Sequence, residues 1–474
     1  MINALSIEDL SFTYQSWTEK ENEPLFRALS LALPAGSKTL LLAPFNKGKT
    51  TLAKIICGVC PKYFPGELQG DINLYGKSLS DLDPWDLLPV CTYVSQNPQE
   101  QFVATSVEEE IAFPLESMGM ERETMHARIE EAITQWGLQD LRTSSEQELS
   151  GGERKRVLLA TMQAIDASFW LLDEAFDDLD QHWRDQLKHL IATKDKTVLV
   201  LASRYLREFD DLFDQVLLLD EGDIASGDRS TLISRFAHLC GDDLPSPLET
   251  EHIQPSQKRI LSCKSLQAER SRVSTTKSKQ FTLEVPDFQL RSGELVTLVG
   301  PNGSGKSSFS RLLCGLDTPI AGQITIDGEP FRDKQLSKRV GYLFQSPDLQ
   351  IFLPTVAEEL SWSLKRRSDL SKSEIESRIA TCAELFSLDL EDTPTTMSYP
   401  LRKALQAAVY YLLDRPFYIL DELDSALTYQ STLSIIAHLR RNGAGILLIT
   451  HDRQFADKVA QRSYTIKEGR LIAV

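Results

Sequence analysis

The chain has 474 residues, 42% apolar and 25% charged, and a net charge of −17. The length predicts more than one domain, and the composition predicts folded, core-forming ones. The acidic balance argues against general nucleic-acid binding, which draws its affinity from basic surfaces. No apolar run reaches the length of a membrane span and no signal peptide is visible, so a cytoplasmic or peripheral location is expected.

In chain order, the first strong pattern is residues 43–51, which end in Asn46, Lys47, Gly48, Lys49, Thr50 and Thr51. This is a phosphate-binding loop of the form G-K-[S/T]. Cys57 and Cys60 have the spacing of half a metal site, but no second pair answers them. Cys57 precedes a glycine that can end the helix after the loop, as Cys314 does later. The seven scattered cysteines suggest reduced thiols. Gln96 follows a short apolar strand, residues 93–95. Residues 105–148 are charged and helical in pattern, and Ser106 with Glu109 predicts a capping box. Then come Ser150, Gly151, Gly152 and Glu153. Ser150 is placed to cap a helix, and the two glycines expose bare N–H groups to an anion. Asp173 and Glu174 end an apolar run at 169–172.

Residues 241–258 are polar, contain three prolines and read as a linker. Beyond it, an apolar strand-like run at 294–299 leads into residues 300–308: Gly300, Asn302, Gly303, Ser304, Gly305, Lys306, Ser307 and Ser308 among them. A helix-like run, 309–314, leads out. In such a loop the glycines let N–H groups converge on phosphate oxygens at a helix N-terminus. Lys306 would reach the β- and γ-phosphates, and Ser307 would ligate Mg²⁺. The landmarks of the first half return here. Lys306 lies 257 residues after Lys49, Gln345 lies 249 after Gln96, and Asp421 lies 248 after Asp173. A near-constant offset means an internal duplication. The predicted fold class is α/β, with two tandem domains, 1–240 and 259–474, each built on a largely parallel sheet.

A phosphate loop, a glutamine, Leu-Ser-Gly-Gly-Glu at 149–153 and an Asp-Glu pair, in that order, resemble the ATP-binding-cassette (ABC) ATPases. The resemblance covers both halves and implies P-loop NTPase domains, each with a helical subdomain, that bind ATP and Mg²⁺. Residues 96–113 and 345–360 further resemble the glutamine-loop region of ATPases in energy-coupling-factor (ECF) and cobalt-type importers. That implies two partners, an integral membrane coupling subunit and a small membrane protein that captures a vitamin or metal ion.

The family works as a head-to-tail pair, with each ATP between the phosphate loop of one copy and the Ser-Gly-Gly segment of the other. This implies two unequal sites. The first uses residues 300–308, with Asp421 holding Mg²⁺, Gln345 sensing Mg²⁺ and water, Glu422 as general base and His451 contacting the γ-phosphate. Ser150, Gly151, Gly152 and Asp180 complete it, and every expected part is present. The second uses Lys49, Thr50, Gln96 (also toward Mg²⁺), Asp173 and Glu174. Here Ser203 replaces the histidine, Ser398, Tyr399 and Pro400 replace the signature, and Thr428 replaces the aspartate. Pro400 has no N–H to donate. All losses fall in one site, which predicts one hydrolysing and one degenerate site. Tyr14 resembles the adenine-stacking aromatic. The glutamates at 108–110 and 358–359 read as first-turn acids or as a docking surface for a basic partner. Two other functions fit the same motifs: a soluble tandem ATPase acting on ribosomes, and the ATPase of another ABC transporter class.

Overall fold

The computed structural model describes residues 2–15, 23–44, 47–205, 207–240, 258–272, 279–301, 303–331, 333–365, 370–425 and 427–474. Asn46, Asn302 and nearly all of the predicted linker lie outside these. The first half runs β1 (Asn3–Tyr14), β2 (Phe26–Pro34), β3 (Lys38–Leu42), α1 (Lys49–Ile56), β4 (Gly66–Leu74), β5 (Lys77–Ser78), α2 (Pro84–Leu87) and β6 (Cys91–Val94). It continues with α3 (Val107–Ser117), α4 (Arg122–Gln135), α5 (Gly151–Ile165), β7 (Phe169–Asp173), α6 (Gln181–Thr193), β8 (Thr197–Ala202), β9 (Gln215–Asp220), β10 (Asp223–Ala225) and α7 (Arg229–Cys240).

The second half repeats the plan: β11 (Ile260–Arg272), β12 (Lys279–Arg291), β13 (Leu295–Val299), α8 (Lys306–Leu313), β14 (Ala321–Ile326), β15 (Glu329–Phe331) and β16 (Val340–Leu343). It continues with α9 (Val356–Leu364), α10 (Lys372–Leu385), α11 (Tyr399–Leu413), β17 (Phe417–Asp421), α12 (Tyr429–Arg440), β18 (Gly445–Ile449), α13 (Arg453–Val459), β19 (Arg462–Lys467) and β20 (Arg470–Ala473). The described residues divide into two units, one per half.

Strands β9-β3-β8-β7-β6 pair in parallel in the first unit, and β19-β13-β18-β17-β16 in the second. Strands β7, β8, β17 and β18 are buried along their whole length and largely apolar, save for Thr197 and the closing Asp173 and Asp421. That is the pattern of a strand covered on both faces, where alternation would expose half its side chains. An antiparallel layer accompanies each parallel sheet: β2-β1-β4-β5, a sheet of its own, in the first unit, and β15-β14-β11-β12, continued through the β12–β20 pair, in the second. The α/β class is therefore observed. Helices α3, α4 and α5 contribute Val107, Ile111, Ile129, Ile133 and Val157 to one apolar cluster, which they share with Leu172 and Val198 of the sheet. Helices α9, α10 and α11 do the same with Val356, Leu360, Ile379 and Leu405.

The predicted strand at 294–299 is observed as β13. The helix after the phosphate loop begins at Lys306, three residues earlier than its apolar run. Cys57 and Cys314 are the C-caps of α1 and α8, and Gly58 and Gly315 follow with φ of 72° and 71°. A left-handed glycine closes each helix, which places both cysteines at a helix end. The capping box at Ser106 is incomplete. Ser106 Oγ accepts from the Glu109 amide (3.3 Å), but the Glu109 carboxylate turns to Thr105 Oγ1.

Candidate nucleotide sites

Parallel strands end at the same edge of a sheet, so the loops that follow them converge there. In the second unit, four loops meet in this way. The phosphate loop follows β13, Gln345 follows β16, Glu422 follows β17 and His451 follows β18. Strand β18 lies between β13 and β17 and pairs Ile449 with Asp421. Motifs more than 100 residues apart in sequence thus share one edge.

The loop geometry depends on Gly305, whose φ is +111°; a Cβ there would meet the Phe281 ring at 2.8 Å. Gly48 repeats this with φ +88° against Phe26 at 2.9 Å. Lys306 is buried, and its ammonium donates to the carbonyls of Gly300 (2.8 Å) and Pro301 (3.1 Å). Ser304 Oγ is buried and has no hydrogen-bond partner among the described residues. A free hydroxyl inside an N–H-rich loop suits an anion.

Beside the loop, Gln345 Nε2 donates to Glu422 Oε2 at 2.7 Å, and His451 Nε2 lies 3.0 Å from Glu422 Oε1. One carboxylate is gripped at both oxygens. Glu422 itself has φ 50°, a left-handed conformation that a non-glycine residue adopts only when its surroundings hold it there. Asp421 is buried and accepts from Tyr342 Oη at 2.6 Å. Burial raises its carboxyl pKa above the usual range, opposed by the Tyr342 hydrogen bond and the charge of Lys306.

In the first unit the same positions carry different bonds. Lys49 forms an ion pair with Glu174 (2.9 Å), and Ser203 donates to the same Glu174 oxygen through its amide (2.9 Å) and hydroxyl (2.5 Å). Burial disfavours the Lys49 charge, but Glu174 and Asp173 together hold its pKa above the ordinary value. Thr50 Oγ1 donates to Asp173 Oδ2 at 2.7 Å, while Asp173 Oδ1 is buried with no partner among the described residues. Lys47 reaches Asp220 at 3.5 Å. Tyr14 Oη meets Thr51 Oγ1 at 2.9 Å, and its ring lies edge-on to Phe12. Burial pushes the Tyr14 phenol up to about 12.

The signature segments differ as their sequences do. Ser150 and Glu153 form a full capping box at the start of α5: Ser150 Oγ accepts from the Glu153 amide (3.4 Å), and Glu153 accepts from the Ser150 amide (2.8 Å). Gly151 and Gly152 open that helix. Helix α11 begins after Ser398, which makes no side-chain cap, and carries Pro400 in its first two positions. Asp180 and Thr428 are N-caps of α6 and α12, accepting from Trp183 (3.3 Å) and Ser431 (3.0 Å) amides.

Two of the candidate docking glutamates face inward. Glu110 Oε2 accepts from the amides of Val103 and Ala104, and Glu359 Oε2 from those of Phe352 and Leu353. Glu108 is engaged by Arg142 at 2.7 Å. Glu109 and Glu358 are exposed, so two of the five glutamates anchor a loop, one pairs with Arg142 and two face solvent. Two further buried lysines went unread in the sequence. Lys155 donates to the carbonyls of Ser95, Gln96 and Glu174, and Lys403 to those of Glu422 and Ser425. The signal was present, since they too stand 248 residues apart.

The sequence pattern of the ABC transporter family matches residues 26–177 and 283–425, more than half the chain and both units. The chain belongs to the ABC transporter family. A Treponema denticola protein named as an ABC transporter ATP-binding protein is 27% identical over 98% of this chain and 96% of its own. A Bacillus subtilis protein named for HMP/thiamine import, also an ATP-binding protein, is 27% identical over 96% of this chain and 88% of its own. Among solved structures, RNase-L Inhibitor superposes with a TM-score of 0.60 at 21% identity, over 98% of this chain and 90% of that one. That last likeness concerns the fold. This ABC protein binds ATP and is an ATPase.

Proposed function

We propose that this ATPase energises an ECF-type importer of a vitamin or metal ion and hydrolyses ATP at one of two unequal sites. The observation that carries the unequal pair is the bonding of the two glutamates. Glu422 is held by Gln345 and His451; both can orient the carboxylate toward a water, and the imidazole can take part in its proton transfer. Glu174 is held by Lys49 and Ser203, so its carboxylate is neutralised by the lysine that a phosphate would need.

In this reading Lys306 leaves the Gly300 and Pro301 carbonyls to hold the β- and γ-phosphates, with amides 303–308 and Asn302 around them. Mg²⁺ would supply charge neutralisation between the phosphates when bound. Ser307, Asp421 and Gln345 would hold it in the second unit, and Thr50, Asp173 and Gln96 in the first. The orphaned oxygen of Asp173 suits such a cation. Glu422 accepts the proton of the attacking water, and His451 orients Glu422 and meets the γ-phosphate. Ser150, Gly151, Gly152 and Asp180 would complete this site, as the head-to-tail pairing of the family implies. Tyr14 would stack on adenine. Lys47, Gly48, Lys49, Thr50 and Thr51, with Asn46, would bind the second ATP opposite Ser398, Tyr399, Pro400 and Thr428, where a proline replaces a donor.

The importer reading draws on the glutamine-loop resemblance and on the Bacillus subtilis relative, whose name concerns import of HMP and thiamine. Its partners would be an integral membrane coupling subunit and a substrate-capture subunit. Peripheral attachment accords with the described residues, none of whose helices is long and apolar enough to cross a membrane. Ribosome action fits less well with a net charge of −17. ATPase assays of Lys306→Ala and Glu422→Gln beside Lys49→Ala and Glu174→Gln test the site assignment. Loss of about a hundredfold or more is expected in the second-half variants only. Near-normal turnover in either would sink the assignment. Co-purification separates the partners: small integral membrane proteins support the importer, and ribosomal particles contradict it.

A further inference from the structure

Tyr399 stands where the signature of this family has a glycine, and its hydroxyl has a partner inside its own unit. Tyr399 Oη donates to the backbone carbonyl of Gln345 at 3.0 Å. The ring is half-buried, with the Lys403 ammonium 5.5 Å and the Arg402 guanidinium 5.7 Å from its centroid. Two cations near the ring hold the ring itself in place.

The first unit shows why that carbonyl matters. There, Lys155 on α5 donates to the Gln96 carbonyl (3.2 Å), the Ser95 carbonyl (3.0 Å) and the Glu174 carbonyl (3.3 Å). One ammonium ties the glutamine loop to the peptide of the glutamate. The equivalent Lys403 donates to the carbonyls of Glu422 (2.5 Å) and Ser425 (2.8 Å). The Gln345 carbonyl is taken by Tyr399. Both units therefore clamp the glutamine-loop backbone from the N-terminal end of the signature helix, with different residues. In the second unit the clamped residue is the one whose amide grips Glu422.

We infer that Tyr399 is a positioning residue for ATP hydrolysis in its own unit, holding the Gln345 backbone so that the Gln345 side chain stays on Glu422. The inference rests on the reading of Glu422 as the general base. The tyrosine is then a replacement with a task, since the ring that spoils one signature segment steadies the glutamine of the other site.

The test is steady-state ATPase kinetics of the full chain with Tyr399→Phe, Tyr399→Gly and Glu422→Gln, each checked for thermal stability. Tyr399→Phe removes only the hydroxyl. It should lower kcat about 3- to 10-fold, the range set by one lost hydrogen bond. KM for ATP should stay within about twofold of wild type, the split that marks loss of an interaction at the chemical step. The Mg²⁺ concentration for half-maximal rate should rise, because Gln345 would also help to hold that ion. Tyr399→Gly, which restores the family's glycine, should lower kcat as well. Unchanged kcat in Tyr399→Phe while Glu422→Gln abolishes turnover overturns the role of Tyr399 alone. A rise in kcat on Tyr399→Gly does the same. Turnover surviving in Glu422→Gln overturns both the base assignment and the inference built on it.

Discussion

At the residue scale, the two units differ most in what surrounds one carboxylate. Glu174 and Glu422 share a left-handed backbone, with φ of 49° and 50°, yet their side chains hold different partners. Glu422 has an amide and an imidazole; Glu174 has an ammonium and a hydroxyl. The Asp-Glu pairs, phosphate loops and His451 were legible in the sequence because phosphate geometry demands a short run of particular residues. Lys155 and Tyr399 were not legible as contacts. Their partners lie about 60 and 54 residues away in sequence and are backbone carbonyls, which leave no mark on residue choice. Lys155 is fully buried, and burial lowers its pKa. Its three carbonyl partners compensate that cost. Lys155→Met should therefore destabilise the first unit by about 1–3 kcal/mol, read as a lower thermal midpoint.

At the element scale, the acidic run after each glutamine loop carries a lesson about pattern and direction. Sequence placed Glu358 and Glu359 together in a first helical turn, which was right, but could not tell which faced solvent. The helix turns by about 100° per residue, so neighbours diverge. Glu359 is buried on the amides of Phe352 and Leu353, whereas Glu358 is exposed. Glu359→Ala should speed hydrogen exchange of those two amides by about tenfold or more, while Glu358→Ala leaves them unchanged. Equal protection in both variants would contradict the anchor. The intact signature is also an element-scale device. Ser150→Ala removes the hydroxyl side of a capping box and should lower stability by about 0.5–2 kcal/mol in denaturant unfolding.

At the scale of the whole molecule, a duplicated chain has kept the same strand order twice, and the proposed reading divides the chemistry between the copies. The fold was legible from repeated motifs at near-constant offsets, since each apolar run ended in a loop with a recognisable task. The antiparallel layers were less legible, because Asp9, Ala28 and Ser265 interrupt the strand pattern with positive φ values of 52°, 56° and 48°. The division of labour is the central claim, and counting nucleotides tests it most directly. Purified chain is mixed with a small excess of labelled ATP and Mg²⁺, then quenched within one turnover, and bound ATP and formed ADP are measured per chain. About two nucleotides bound and about one converted is the expected result, with conversion lost in Lys306→Ala and kept in Lys49→Ala. Two converted per chain, or conversion that survives Lys306→Ala, would contradict it.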